Sequence, residues 1–309
     1  MMKTFSIIVP IYFNELNIPH LIPRLKKLQD TLSGYTLEFI FVDDGSQDNS
    51  FQLLVNEQRK DKRIKLIKLS RNFGSMAAIQ AGLHYAKGDC VGIIAADLQD
   101  PPELFLEMIK KWESGRKVVM ALRGKREGSV LQNFFSETYY RLLKKFAIDD
   151  YPEGGFDLVV IDQQIVDELK RISEKNTNIM SLIFWLGHDR ESVSYARQKR
   201  EIGTSKWTVT KKIKLFIDTF VNFSYVPIRV ISLIGLLTAL ASFSYGLLVI
   251  ILRCFDKITV PGWTIIVVIL TLLLGLIMVM LGIIGEYLWR ILDESRKRPS
   301  YVIDEVIID

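Results

Sequence analysis

Over the first 125 residues, apolar and polar positions alternate between two periods. Phe5 to Ile11, Leu37 to Val42, Ile64 to Leu69, Cys90 to Ala95 and Lys117 to Leu122 are largely apolar throughout and read as strands. Between them, Ile18 to Leu32, Ser50 to Gln58, Ser75 to Ala86 and Pro102 to Trp112 carry apolar residues at helical spacing, and Leu158 to Ile161 adds a later strand-like run. Strands apolar on both faces and separated by helices predict an α/β fold with a mainly parallel sheet covered on both sides. Ligands of such sheets bind beyond the carboxyl ends of the strands. No repeat, low-complexity tract or linker interrupts the first 200 residues.

The pattern then changes character. Val230 to Leu252 and Trp263 to Gly285 hold no charge over 23 residues each, and about 20 suffice to cross a hydrocarbon core of roughly 30 Å. Two membrane spans are expected. Basic residues flank the outer ends of the pair, at Lys199 to Lys214 and at Arg290, Arg296, Lys297 and Arg298, while the connecting loop has only Arg253 and Lys257. The positive-inside rule puts both termini in the cytoplasm. Gly235, Ala239, Gly282 and Gly285 make small-xxx-small spacings able to close helix contacts. Before the first span, Ile213, Phe216, Ile217, Phe220 and Val221 follow a helical period beside Lys211, Lys212 and Lys214. This reads as a helix lying in the membrane surface, the alternative being an amphipathic helix docked on the soluble part. The sequon Asn222-Phe223-Ser224 falls on the cytosolic side and is read as chance.

Composition sharpens this division. The averages of 49% hydrophobic and 24% charged residues in 309 look like a single globular protein, yet between Val226 and Gly285 only Arg229, Arg253, Asp256 and Lys257 are charged. A wholly soluble enzyme is excluded, and the remainder is too apolar to be a disordered tail. The net charge of +5 is local as well: Arg197, Lys199, Arg200, Lys206, Lys211, Lys212 and Lys214 face only Glu201 within Arg197 to Lys214. A basic run beside membrane segments points to lipid head groups or phosphates, not to nucleic acid. Cys90, in a strand, and Cys254, in the loop between the spans, have no metal or redox spacing and read as unpaired packing residues. The N-terminus runs straight into a strand without a signal peptide, which places the soluble part in the cytosol.

Candidate chemistry collects at the strand ends. The first ends in Pro10-Ile11-Tyr12-Phe13-Asn14-Glu15, the second in Asp43-Asp44-Gly45-Ser46, the third in Ser70-Arg71-Asn72-Phe73-Gly74 and the fourth in Asp97-Leu98-Gln99-Asp100-Pro101-Pro102. Any one of these is ordinary turn or helix-start chemistry. Four in succession predict a ligand cleft. Neither a Rossmann glycine fingerprint nor a Walker A sequence occurs, which argues against a dinucleotide dehydrogenase or a P-loop ATPase.

Together with Gly154-Gly155-Phe156-Asp157 and Gly203-Thr204-Ser205-Lys206-Trp207, these motifs resemble glycosyltransferase family 2 of the GT-A fold. The likeness is to its polyprenyl-phosphate sugar transferases, the group of dolichyl-phosphate mannose synthase and the bactoprenol glucosyltransferases. It covers nearly the whole chain and implies a nucleotide-sugar donor, a divalent cation and a lipid-phosphate acceptor. Pro10, Tyr12, Glu15, Asp43 and Asp44 would surround the base and ribose, where carboxylates accept from imide and hydroxyl donors. Arg71 and Arg123 are candidates for the diphosphate. Asp97 and Gln99 would bind Mg²⁺ or Mn²⁺. The family's Asp-x-Asp metal motif has Ala95 at its first position here, leaving Asp97 as its only carboxylate. Mg²⁺ tolerates few protein ligands when phosphates and water complete its shell, so one can suffice. Asp157 is the candidate catalytic base, and Ser136, Arg200, Ser205 and Lys206 the candidates for the acceptor phosphate. At Gln132 the related enzymes often carry a basic residue, and Lys211, Lys212 and Lys214 are read as simple lipid attraction.

The expected organisation is a cytosolic catalytic domain over residues 1–207, a juxtamembrane helix over 208–226, two spans with a short external loop over 227–289 and a cytosolic tail over 290–309. A homo-oligomer in a bacterial-type plasma membrane is expected. The expected reaction is inverting transfer of glucose from UDP-glucose to polyprenyl phosphate at the cytosolic face. UDP-N-acetylglucosamine, GDP-mannose and an aminoarabinose donor remain open within the same fold. A non-catalytic scaffold or lipid-flipping partner is the reading from a different class. A processive synthase would need more membrane helices and a Gln-x-x-Arg-Trp signature, which is absent.

Overall fold

The computed structural model describes residues 2–124, 138, 140–148, 151, 152, 154–172, 174, 177–197, 218, 219, 221–224, 226–255 and 262–308. It divides into two units, one formed by Met1–Thr219 with Pro299–Asp309 and the other by Phe220–Arg298.

The first unit is built on an eight-stranded sheet of order β7-β5-β6-β4-β1-β2-β3-β8. At its centre β1 (Lys3–Ile11) pairs in parallel with β2 (Tyr35–Asp43) and β4 (Cys90–Ile93), and β2 pairs in parallel with β3 (Ile64–Leu69). These are the apolar runs of the sequence, and Phe5 through Val9 are fully buried because helices cover both faces. Phe5, Ile7, Val9 and Ile11 join one core with α1 (Ile18–Thr31) and α4 (Phe105–Glu113) through Leu21, Leu25, Phe105 and Met108. Ile8 points the other way, onto α3 (Ser75–Tyr85), where a Cβ on Gly82 would lie 2.6 Å from its Cγ2. Glycine there lets helix and sheet approach closely. The helix α2 (Ser50–Lys60) follows the turn after β2.

The expectation of a mainly parallel sheet holds for the centre and meets two qualifications. Among the described residues β6 (Val159–Asp162) runs antiparallel between β4 and β5 (Val118–Arg123), while β7 (Arg190–Tyr195) is again parallel to β5. Two helices, α5 (Gln163–Arg171) and α6 (Ile179–Trp185), link β6 to β7. The second qualification is β8 (Ile303–Ile307), which returns from the C-terminus to pair antiparallel with β3. The sequence pattern assigned no element there.

The second unit contains α7 (Val226–Cys254) and α8 (Trp263–Ser295). Ile228–Tyr245 and Leu272–Ser295 are long and apolar enough to cross a membrane, in line with the two uncharged runs. Cys254, expected in a loop, closes α7. The two helices meet where a Cβ on Gly235 would lie 2.7 Å from Met280 Cε, whereas Gly282 and Gly285 have no such neighbour among the described residues. The basic run from Lys199, the Gly203 to Trp207 motif and the amphipathic pattern over 213–217 lie outside the described residues.

Candidate functional site

The strand order places the carboxyl ends of β4, β1, β2 and β3 side by side, so the four polar strand ends form one continuous rim. The β1 end turns sharply at Phe13, a non-glycine residue at φ 54. Its amide donates to Ser46 Oγ at 3.1 Å, and Glu15 Oε2 accepts from the Asn49 amide at 3.0 Å. These bonds fasten the Pro10–Glu15 segment to the turn after β2. Tyr12 packs edge-on against Phe13, with ring centroids 4.6 Å apart.

Asp43 and Asp44 are adjacent and buried, yet they face different partners. Asp44 accepts from Asn72 Nδ2 at 2.9 Å, the Phe73 amide at 2.7 Å and the Gly74 amide at 2.9 Å, so it clamps the loop after β3. Gly45, at φ +70, lets that loop approach: a Cβ would sit 2.5 Å from the Arg71 carbonyl carbon. Asp43 accepts from the Ser46 amide at 3.1 Å, while its Oδ1 has no hydrogen-bond partner among the described residues. Burial pushes the Asp43 carboxyl above the ordinary carboxylate range, against the pull of Ser46. A buried acceptor without a donor suits a ligand that brings one. Arg71 is exposed and lies 4.2 Å from the Phe73 ring centroid.

Beyond β4, Leu98 adopts φ 60, and Asp97 Oδ1 accepts from the Gln99 amide at 3.2 Å. Arg197, two residues past β7, gathers the nearby carboxylates. Its Nη2 lies 3.8 Å from both Asp97 Oδ2 and Asp157 Oδ2, and its Nε lies 3.3 Å from Asp100 Oδ1. Asp97 and Asp157, 60 positions apart in the chain, therefore share one nitrogen atom as a common neighbour. Asp157 also pairs with Arg123 at the end of β5. Asp100, whose side chain is fully buried, accepts in addition from the Tyr195 hydroxyl. Burial, and then the charge of Asp100, push that hydroxyl's pKa up.

Asp157 is presented by local backbone. Gly154 and Gly155 have φ values of 87 and 65, and a Cβ on Gly155 would lie 2.5 Å from the Tyr140 hydroxyl. Tyr140 stacks at 6.1 Å on Tyr151, which in turn packs against Phe156 and Phe184. An aromatic cluster beneath a glycine pair thus fixes the approach to Asp157.

Of the expected residues, Pro10, Tyr12, Glu15, Asp43, Asp44 and Arg71 lie on the β1–β3 ends, and Asp97, Gln99, Arg123 and Asp157 on the β4–β6 side. Ser136, Arg200, Ser205 and Lys206 lie outside the described residues. Sequence reasoning missed Asp100, Tyr195 and the role of Arg197. In the sequence Asp100 reads as a helix start before Pro101-Pro102, and Arg197 as the first charge of a basic run beside the membrane segments. No group of three His, Cys, Asp or Glu side chains among the described residues forms a metal cage. Asp97 and Gln99 do offer the hard oxygen atoms that suit a divalent cation completed by substrate oxygens.

The glycosyl transferase family 2 model matches residues 6–159, which hold every strand end described above except that of β7. The uncharacterized glycosyltransferase YkcC of Bacillus subtilis (strain 168) is 40% identical over 97% of this chain and 93% of its own. The bactoprenol glucosyl transferase of Shigella phage SfV is 32% identical over 96% of this chain and 97% of its own. Among solved structures, the mannosyltransferase PcManGT from Pyrobaculum calidifontis is 17% identical, with 65% of this chain and 59% of that one covered at a TM-score of 0.46. By its near full-length similarity to YkcC, this chain belongs to glycosyl transferase family 2 and is a glycosyltransferase.

Proposed function

We propose that the protein transfers glucose from UDP-glucose to undecaprenyl phosphate or a similar polyprenyl phosphate at the cytosolic membrane face, with inversion. The observation that carries this reading is the 32% identity to a bactoprenol glucosyl transferase over 96% of the chain, a span too long to omit either apolar helix.

In this reading Asp43 Oδ1 accepts from the imide of the nucleobase, while Pro10, Tyr12 and Glu15 line the base and ribose. Arg71 and Arg123 face the diphosphate. Asp97 and Gln99 hold Mg²⁺ or Mn²⁺, which when bound would neutralise charge on the donor diphosphate. Ser136, Arg200, Ser205 and Lys206 receive the acceptor phosphate. One of its oxygen atoms attacks the anomeric carbon as the bond to the diphosphate breaks, and the electron pair leaves with UDP. No sugar–enzyme bond forms.

A phosphate monoester with a second pKa near 6 is largely ionised at neutral pH and needs little deprotonation. Asp157, paired with Arg123 and Arg197, accordingly acts by orienting groups more than by removing a proton. The rate enhancement comes from positioning and from charge stabilisation of the leaving group.

The test is to incubate membranes holding the protein with undecaprenyl phosphate and labelled UDP-glucose, UDP-N-acetylglucosamine or GDP-mannose, with Mg²⁺, Mn²⁺ or EDTA. Label should pass to the organic phase from UDP-glucose, in a metal-dependent way, and NMR should show a β-linked product. Transfer from another donor alone would replace glucose, an α-linked product would remove inversion, and no transfer from any donor would favour a scaffold.

A further inference from the structure

The C-terminal strand lies more than 200 positions from the Ser70–Gly74 loop and bonds directly to its edges. The Ser70 amide donates to the Val302 carbonyl at 2.9 Å, just beyond the Leu69–Ile303 pair of the β3–β8 ladder. Lys68 and Asp304 form an ion pair at 3.3 Å. On the far side of the loop, Ser300 Oγ donates to Gln80 Oε1 at 2.7 Å, and the Tyr301 hydroxyl meets His84 Nδ1 at 3.2 Å, both on α3. Residues 300–304 therefore grip the strand that enters the loop and the helix that leaves it. The loop between them supplies the three donors that hold Asp44, next to the open acceptor of Asp43.

An edge strand is ordinarily guarded by charged, exposed side chains. β8 has Asp304, Glu305 and Val306 exposed, after exposed Val302, while Ile307 packs against the core. Asp304 of β8 bonds to the strand that enters the loop, and Ser300 and Tyr301, just before β8, bond to the helix that leaves it.

We propose that residues 299–308 are a positioning element of the donor site. They fix the 70–74 loop, and through Asp44 the Asp43–Ser46 turn, in the geometry that receives the nucleotide. This rests on the reading of the β1–β3 rim as the nucleotide site. The consequence is that nucleotide affinity depends on the last residues of the chain.

The experiment compares the full chain with one ending at Arg298, both purified in detergent, by calorimetric titration of UDP and by hydrogen exchange. Truncation should raise the UDP Kd roughly tenfold, within the range of couplings carried by packed networks. It should also speed exchange at Phe73 and Gly74, and a peptide of residues 299–309 added in trans should reverse both changes. A truncated chain that melts cooperatively with unchanged affinity and exchange overturns the proposal. Should truncation unfold the protein, the full-length double variant Ser300→Ala/Asp304→Lys decides by the same two readouts, and no movement in either overturns it. If UDP fails to bind even the intact chain, the nucleotide reading falls, while the exchange rates still report whether the tail holds the loop.

Discussion

Two neighbouring carboxylates, Asp43 and Asp44, show how far one residue's environment can differ from the next. The Asp44 oxygens are engaged by three protein donors, whereas Asp43 keeps a buried oxygen with none among the described residues. Replacing Asp43 with Ala should raise the donor KM by about 10- to 100-fold, the cost of a hydrogen bond to a charged group, with kcat changed far less. Steady-state kinetics at varied donor concentration checks this. The raised pKa of Asp43 adds a pH dependence. Its folded value exceeds its unfolded one, so its contribution to stability is complete below the unfolded value of about 3.9 and is lost as pH rises through the folded value. A nucleotide that donates to Oδ1 favours the ionised form and offsets that loss. The increase in Tm on adding UDP should therefore grow between acidic and neutral pH in the native protein and stay flat in Asp43→Asn. At the metal motif, Ala95→Asp would restore a second carboxylate, and the Mn²⁺ concentration for half-maximal turnover should fall about tenfold, as ligand charge tunes such sites. An unchanged metal requirement would show that a carboxylate at position 95 does not reach the ion.

At the scale of elements, the site depends on how loops are held. Gly155 needs both a left-handed backbone and space beside Tyr140. Gly155→Ala should cost about 1–3 kcal/mol through the left-handed conformation and the close contact, read as a lower Tm together with a lower kcat. Arg197 joins carboxylates from the β4 and β6 ends, and Asp100 anchors it from below. Arg197→Ala should lower kcat by about 10²-fold, the scale of a misplaced catalytic group, and Arg197→Lys should recover only part of it because an ammonium cannot span the same carboxylates. A change confined to Tm would reduce Arg197 to a structural role. Elements with strong apolar periods were legible in the sequence, and the Ile64–Leu69 strand has the bounds its pattern predicts. β8 was not, because Asp304 and Glu305 interrupt its apolar pattern, and its partner lies far away in the chain. The direction of β6 was equally hidden, since side-chain alternation is the same in parallel and antiparallel strands.

On the scale of the whole molecule, the chain passes between its two units twice, once after Thr219 and again before Pro299. The apolar helices should keep the protein in the membrane pellet after an alkaline carbonate wash, whereas a protein held only by basic residues would be released. A wash that freed the intact chain would remove the membrane reading of α7 and α8. The membrane-length helices, the strands of the buried centre and the polar groups crowding the strand ends are all legible along the chain. Those features depend on local composition and period, which need no knowledge of distant partners. Three features come from the folded arrangement alone: among the described residues Asp43 keeps an open oxygen while Asp44 is engaged, Arg197 lies between Asp97 and Asp157, and residues 300–304 return to the flanks of the 70–74 loop. Each of these depends on which residues far apart in the chain become neighbours, and on how burial removes the water that would otherwise make adjacent carboxylates alike.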